Sequence, residues 1–249
     1  MKEMRLMKYS TSLSAKLLFV ALMLAVSACA TNRSVVTVEV PEVDLENKTG
    51  KTVKIVSVVD ERQFQVKPKK PEIPSLSETE ENNKDIMARA LARKRNGFGK
   101  ALGDVLLPEG ETVIGLIRKT TANAFLESGY EVVKEGDAKF TSAIPIRVGV
   151  VKFWSWIDWG FAELTLRTNS VVVLSSPSEA LGEGIKVENE VVTTHAAVFE
   201  SDWQKNVQTA IAELQKKMAE RLKELDLKAS NTASLPETRI TGDKKLLLN

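Results

Sequence analysis

Apolar residues recur along this chain with two periods. Val36, Val38 and Val40 alternate with polar neighbours, which predicts a half-buried strand over 34–40, and the denser β-branched run of 52–59 predicts a more central one. Val113, Ile117, Thr120, Ala124 and Phe125 lie on one stripe of a helix expected over 111–128, with Gly129 placed as its left-handed C-terminal cap. A strand over 130–133 follows, then a long one from Phe140 in which Ile144, Ile146, Val148 and Val150 share one parity. The chain returns over 161–174 with Leu164 and Leu166 inward, and turns over 177–184. A last strand over 185–199 changes parity near Val191 and Val192, which predicts a bulge there. The clearest element closes the series. Trp203, Val207, Ala210, Ile211, Leu214, Met218, Leu222 and Leu225 repeat at helical spacing behind a capping box at 201–204.

Between the second strand and the first helix the chemistry changes. Pro68, Pro71 and Pro74 stand among Ser, Glu and Asn, with too little apolar area to order a core, so 67–103 is expected as an exposed insertion holding a short helix over 84–95. Beyond Leu227 the polar stretch 228–249 has no periodicity and is expected to be a flexible tail. A helical stripe must be laid on a sheet. The order of elements over 34–227 therefore predicts an α+β two-layer domain, a largely antiparallel sheet with two amphipathic helices on one face.

The first 28 residues belong to a different class. Lys2, Arg5, Lys8 and Lys16 precede an apolar run from Leu17 to Val26, which spans only about 15 Å as a helix, half of a bilayer core. That is the form of an export signal. Val26, Ser27, Ala28 and Cys29 resemble the lipobox of bacterial lipoproteins, in which the thiol takes a diacylglycerol and the freed amine an N-acyl chain. Cleavage would leave Cys29 as a lipidated first residue on a tether of 29–33, and no other cofactor is implied. Ala30 is not the aspartate associated with inner-membrane retention, so the resemblance favours the outer membrane, with the domain facing the periplasm. A plain secreted protein with a leftover cysteine is the alternative.

Composition narrows the chemistry. The 249 residues hold one Cys and one His, which excludes a disulfide framework within the chain and makes a multi-cysteine or histidine-rich metal site untenable. Without residues 1–28 the chain keeps 31 basic against 32 acidic residues, so its basic character belongs to the signal and gives no argument for nucleic acid.

The lipobox at Cys29, a valine-rich strand closing in Asp60-x-Arg62, a helix ending in Ser128-Gly129-Tyr130, a long hairpin and a final amphipathic helix together resemble the YajG-like outer-membrane lipoproteins, and more loosely the auxiliary lipoproteins of envelope transport systems. The resemblance implies a membrane-tethered domain and supplies no catalytic residues.

Three tryptophans crowd the segment 153–161. Trp154, Trp156 and Trp159 suit a membrane interface or the anchors of a protein contact; alternatively Trp154 and Trp156, on the parity of Ile144 to Val150, close the end of the core. Arg89, Arg93, Lys94 and Arg95 are candidates for an anionic contact such as lipid phosphate, or form a solvated helix face. The glycines of 97–103 match neither a dinucleotide fingerprint nor a Walker motif, so no nucleotide is expected. Asp60 and Glu61 have no second carboxylate identified across a cleft, and with Arg62 they read as a salt link that finishes the strand. His195 has no recognisable nucleophile context. The expectation is a lipid-anchored, non-catalytic binding or assembly protein of the bacterial envelope, whose partners are the membrane and another envelope protein. The alternatives are a lipid or glycolipid carrier and, more remotely, an envelope hydrolase.

Overall fold

The computed structural model describes residues 33–43, 50–225 and 227. The signal, Val26, Ser27, Ala28 and Cys29, and the tail of 228–249 lie outside the described residues. In chain order the elements are β1 (Ser34–Val35), β2 (Thr52–Asp60), α1 (Lys84–Arg89), β3 (Ala90–Arg95), β4 (Ala101–Leu106), α2 (Val113–Glu127), β5 (Glu131–Val132), β6 (Ile144–Trp159), β7 (Leu164–Ser175), a 3₁₀ turn at Glu179–Leu181, β8 (Ile185–His195) and α3 (Glu200–Lys223). The α+β class is as expected: one eight-stranded sheet, antiparallel through the long β6–β7–β8 meander, with α2 and α3 packed on one face.

The strand β6 organises the sheet. One of its edges pairs with β7 throughout, while the other is shared between two strands. β2 runs parallel to Ile144–Val150, and β3 meets β6 at Ala92 and Ser155. The sheet therefore forks, with β2 and β5 on one prong and β3, β4 and β1 on the other. Strands that part leave carbonyls without ladder partners, and Arg62 fills the gap. Its buried guanidinium donates to the Asp60 carboxylate (2.8 and 2.7 Å) and to the carbonyls of Ala90 (2.6 Å), Met87 (2.7 Å) and Phe153 (3.5 Å). A planar cation with five donors can serve that many acceptors at once; a lysine cannot.

Both large helices follow their stripes. Thr112 caps α2, its hydroxyl accepting from the Gly115 amide (3.0 Å). Gly129, at φ +86°, ends the helix as anticipated, with Tyr130 N donating to Phe125 O and Gly129 N to Leu126 O, the paired bonds of a Schellman turn. Ile117, Phe125, Ile211, Leu214 and Met218 meet Ile146, Val148, Val150 and Phe153 in the main core. α3 begins at Glu200, ahead of the expected box, because the Asp202 carboxylate reaches back to the Phe199 amide (2.7 Å).

Four expectations are corrected. The insertion of 67–103 is not exposed throughout: Ser75 and Leu76 are buried, and the segment 61–83 crosses the sheet face opposite the helices. Its carbonyls find side-chain donors, Pro71 O accepting from Trp154 Nε1 (3.2 Å) and Pro68 O from Arg95 (2.6 Å), so a segment without secondary structure still seals an apolar patch. Second, the helix over 84–95 stops at Arg89, and Ala90–Arg95 is a strand inside the sheet. Ala and Arg favour helix, but Ala90, Leu91 and Ala92 are covered on both faces, and tertiary burial overrides that weak preference. Third, β7 and β8 pair without interruption past Val191 and Val192; the bulge lies in β6 between Val150 and Lys152. Val192 simply faces outward. Fourth, only Ser34–Val35 of the first strand is paired in the sheet, while Val36, Val38 and Val40 stay buried in an extended segment whose Glu39 amide donates to Gln208 of α3 (2.8 Å).

Candidate functional site

The bulge at Val151 decides the fate of the tryptophans. One extra residue flips the alternation, so Phe153 faces α3 and the main core while Trp154 and Trp156 turn to the opposite face. There they join Leu76, Ala90 and Leu106 in a second, smaller core. Trp154 is 0% exposed and stands edge-on to Phe64, ring centroids 5.8 Å apart. Trp156 is 7% exposed, donates its indole N–H to Asp158 (3.1 Å) and lies beneath the Lys152 ammonium. These two are packing residues, on the face opposite to the one their sequence parity suggests, and they are withdrawn as interface candidates.

Trp159 differs. It is 49% exposed, its Nε1 donates to Arg95 O (3.1 Å), and its ring packs against Gly97 in the β3–β4 turn. Sheet pairing sets Trp159 beside Leu164, and Leu164 beside His195. The turn of 96–100, the turn of 160–163 and the start of α3 thus lie at one end of the molecule. Each carries an exposed ring: Phe98 and Phe161, both fully exposed, and Phe199 at 62%. The sequence does hint at these, since Phe98 sits between Gly97 and Gly99 and Phe161 directly follows Gly160, in turns that offer no strand face to pack on.

The basic residues do not gather into one patch. Arg89 is buried, donating to Leu107 O (3.0 Å) and pairing with Asp85 (3.1 Å). Lys94 is buried on the opposite side of β3 from Arg93 and Arg95; its ammonium donates to Ser34 Oγ (2.6 Å), and burial pushes its pKa below the ordinary lysine range. Arg95 donates to Pro68 O and Ser75 Oγ. Arg93 pairs with the buried Asp104 (2.7 Å), which also receives Arg33 (3.2 Å). Arg33 pairs in turn with Glu80 (2.7 Å) and holds that carboxyl below its usual range. These cations are committed to folding the sheet edge. Beside Arg93 and Arg95 an open cleft of about 550 Å³ is bordered by Lys67, Glu78 and Lys100, with Lys67 and Glu78 paired to each other.

Of the salt link read from 60–62, Asp60 is the carboxylate that pairs with Arg62. Glu61 lies over Gly149, and burial raises its carboxyl above the ordinary glutamate value.

A polar chain runs beneath α3. Ser155 and Thr168 share a hydrogen bond (2.7 Å), Thr168 donates to Asn206 Oδ1, and Asn206 Nδ2 donates to Thr193 Oγ1 (3.0 Å). His195 Nε2 meets the same hydroxyl at 2.9 Å, and its Nδ1 lies 3.7 Å from Asp202. The order hydroxyl, imidazole, carboxylate is that of a nucleophilic triad, but Asp202 caps α3 through its other oxygen. At 3.7 Å the imidazole and carboxylate are beyond hydrogen-bond reach. Through Asn206 the chain ties α3 to the sheet. Among the described residues no group of three His, Cys, Asp or Glu is placed to hold a metal ion, and no helix is long and apolar enough to cross a membrane.

No protein-family model and no curated protein matches the chain. Solved structures similar to it include an uncharacterized protein at 10% identity, TM-score 0.39, covering 78% of this chain and 99% of that one. A Xanthomonas campestris protein assigned to the family DUF330 is similar at 12% identity, TM-score 0.39, covering 77% and 93%. A candidate lipoprotein from Caulobacter crescentus is similar at 18% identity, TM-score 0.28, covering 45% of this chain and 80% of that one.

Proposed function

We propose that the protein is a lipid-anchored binding or assembly protein of the bacterial envelope, without catalytic activity of its own, acylated at Cys29 and facing the periplasm from the outer membrane. The observation that carries the reading is the position of the chain's single cysteine, behind an export signal and four residues ahead of Arg33. Arg33, the first of the described residues, is held to the fold through Glu80 and Asp104. Acyl chains on Cys29 would therefore hold the domain close against a bilayer, and more than one chain gives stable anchoring where one alone is marginal. A protein partner has room on the part of the outer sheet face that 61–83 leaves bare, where Val59, Val151 and Val192 are exposed.

Metabolic labelling with palmitate tests the anchor. Wild type is expected to incorporate label and fractionate with outer membrane, and Cys29→Ala to lose both. An unlabelled wild type, or unchanged fractionation of Cys29→Ala, defeats the reading. A photo-crosslinker at position 192 is expected to capture one envelope protein reproducibly in living cells.

A further inference from the structure

The geometry points to the aromatic end of the sheet as a bilayer-docking face, on which Phe98, Trp159, Phe161 and Phe199 enter the headgroup region of the membrane that holds the anchor. The inference rests on the reading of Cys29 as the acylated residue. Its argument is the direction and length of the chain that precedes β1. β1 pairs parallel with β4, Ser34 beside Val105 and Val35 beside Leu106. Arg33, the first described residue, is held to Asp104 beside β4, so the described chain begins on the side of β4 that leads toward its start at Ala101 and the β3–β4 turn. Cys29 is five positions before Ser34, a reach of at most about 17 Å. Lys100 is five positions before Val105, about 16 Å along the strand. The length of chain between them lets a lipidated Cys29 extend as far as the level of the turn that carries Phe98 and little beyond it. The end of the domain held against the bilayer is the aromatic end.

The chemistry of that end fits an interface. Solvent-exposed phenylalanines at turn tips do nothing for the core, and an indole with one engaged N–H and an exposed ring edge suits the headgroup boundary. Exposed charges of both signs border the rings, Lys100 on one side and Glu163 and Glu200 on the other, so the rings carry the attraction and added salt should alter it little. The other tryptophans in the fold, Trp154, Trp156 and Trp203, are buried. Trp159 is thus a native reporter of contact.

The test uses the full chain, extracted from membranes and reconstituted into vesicles of phosphatidylcholine brominated along its acyl chains. Bromine quenches indoles only at close range. The expected result is partial quenching of the tryptophan emission, removed by Trp159→Phe. The Cys29→Ala chain, added to phosphatidylcholine vesicles, is expected to partition weakly. Phe98→Ser with Phe161→Ser should lower that partition by at least about tenfold without altering the thermal melt. Quenching that Trp159→Phe leaves unchanged, no quenching in wild type, or unaltered partition of the double variant would overturn the docking face. So would protection of Trp159 by a captured envelope protein in native membranes. Palmitate labelling separates the two readings: label without quenching leaves the anchor and removes the docking face, whereas vesicle binding through these rings in an unlabelled chain removes the anchor alone.

Discussion

Replacing Arg62 with methionine removes the cation that closes the fork between β2 and β3. The side chain is fully buried, so the substitution lets no water in to replace it, and Ala90 O, Met87 O and half-buried Asp60 lose a charged donor together. Removing one partner from a buried charge pair costs about 3–5 kcal/mol, most of it the cost of leaving the other groups unsatisfied. Here Asp60 keeps some solvent, 22% of its side chain being exposed, which places the cost toward the lower end of that range. A loss of about 3–4 kcal/mol, at roughly 2–4 °C per kcal/mol for a domain of this size, should lower the Arg62→Met thermal midpoint by roughly 6–16 °C.

Two companion variants assign the cause. Asp60→Asn leaves the guanidinium with its three carbonyls and should cost less than half as much. Arg62→Lys keeps the charge but cannot span the fork, and should recover only a minor part of the loss. Midpoints are read by circular dichroism on the detergent-solubilised full chain. An Arg62→Met midpoint within about 2 °C of wild type would refute the reasoning. If Asp60→Asn proved as costly as Arg62→Met, the ion pair would be the source of stability and the sealing of the fork would not.

Three further outcomes follow from packing and charge. Trp154→Ala empties the centre of the second core and should cost about 3–5 kcal/mol in denaturant unfolding, whereas Trp159→Ala should cost less than about 1 kcal/mol; comparable values for the two would contradict their different placement. Glu61 has a raised pKa through burial, so the folded state binds its proton more tightly than the unfolded chain does, and the group detracts from stability as pH rises through the ordinary glutamate value toward the folded one. Glu61→Gln should therefore raise the midpoint at neutral pH, with the gain vanishing below the ordinary glutamate range; a gain that persists in acid would show a different origin. Thr112→Ala removes the cap of α2 and should cost about 0.5–2 kcal/mol in the same unfolding assay, while Thr112→Ser should recover most of it.

The elements legible in the sequence are those whose period is long and whose ends are marked. α2 shows both its stripe and Gly129, and α3 shows six turns of uninterrupted periodicity, so both stand where the pattern sets them. β3 is invisible to the same reasoning. Its sequence ALARKR contains no β-branched residue, and it is a strand because β4 and β6 pair with it on both sides and cores lie above and below. The prolines of 68–74 read as solvent-exposed for the same reason: composition registers how little apolar area they carry, and not that Arg95 and Trp154 are placed to bond their carbonyls. Of the candidate site, Trp159 could be singled out as the exposed indole. The cations could not be sorted, because Arg93, Lys94 and Arg95 divide between two faces of β3 while Arg89 ends α1, within one stretch that composition reads as a single helix.

A single inserted residue carries much of the functional consequence. Without the bulge at Val151, strict alternation from Val150 would send Trp154 and Trp156 into the main core with Val148 and leave Phe153 on the outer face. The segment of 61–83 would then have no indoles to cover, and Arg62 would meet a differently faced β6. With the bulge, Trp154 and Trp156 on the outer face are covered by the proline segment, whereas Trp159, on the parity of Phe153 and Ile157, stays half exposed at the end of β6. Three tryptophans within six residues thus divide into two that make a core and one that remains at the rim. The rim is where the β3–β4 turn brings Phe98. β6 ends and β4 begins at this end of the sheet, and it is the end from which β1, parallel to β4, enters.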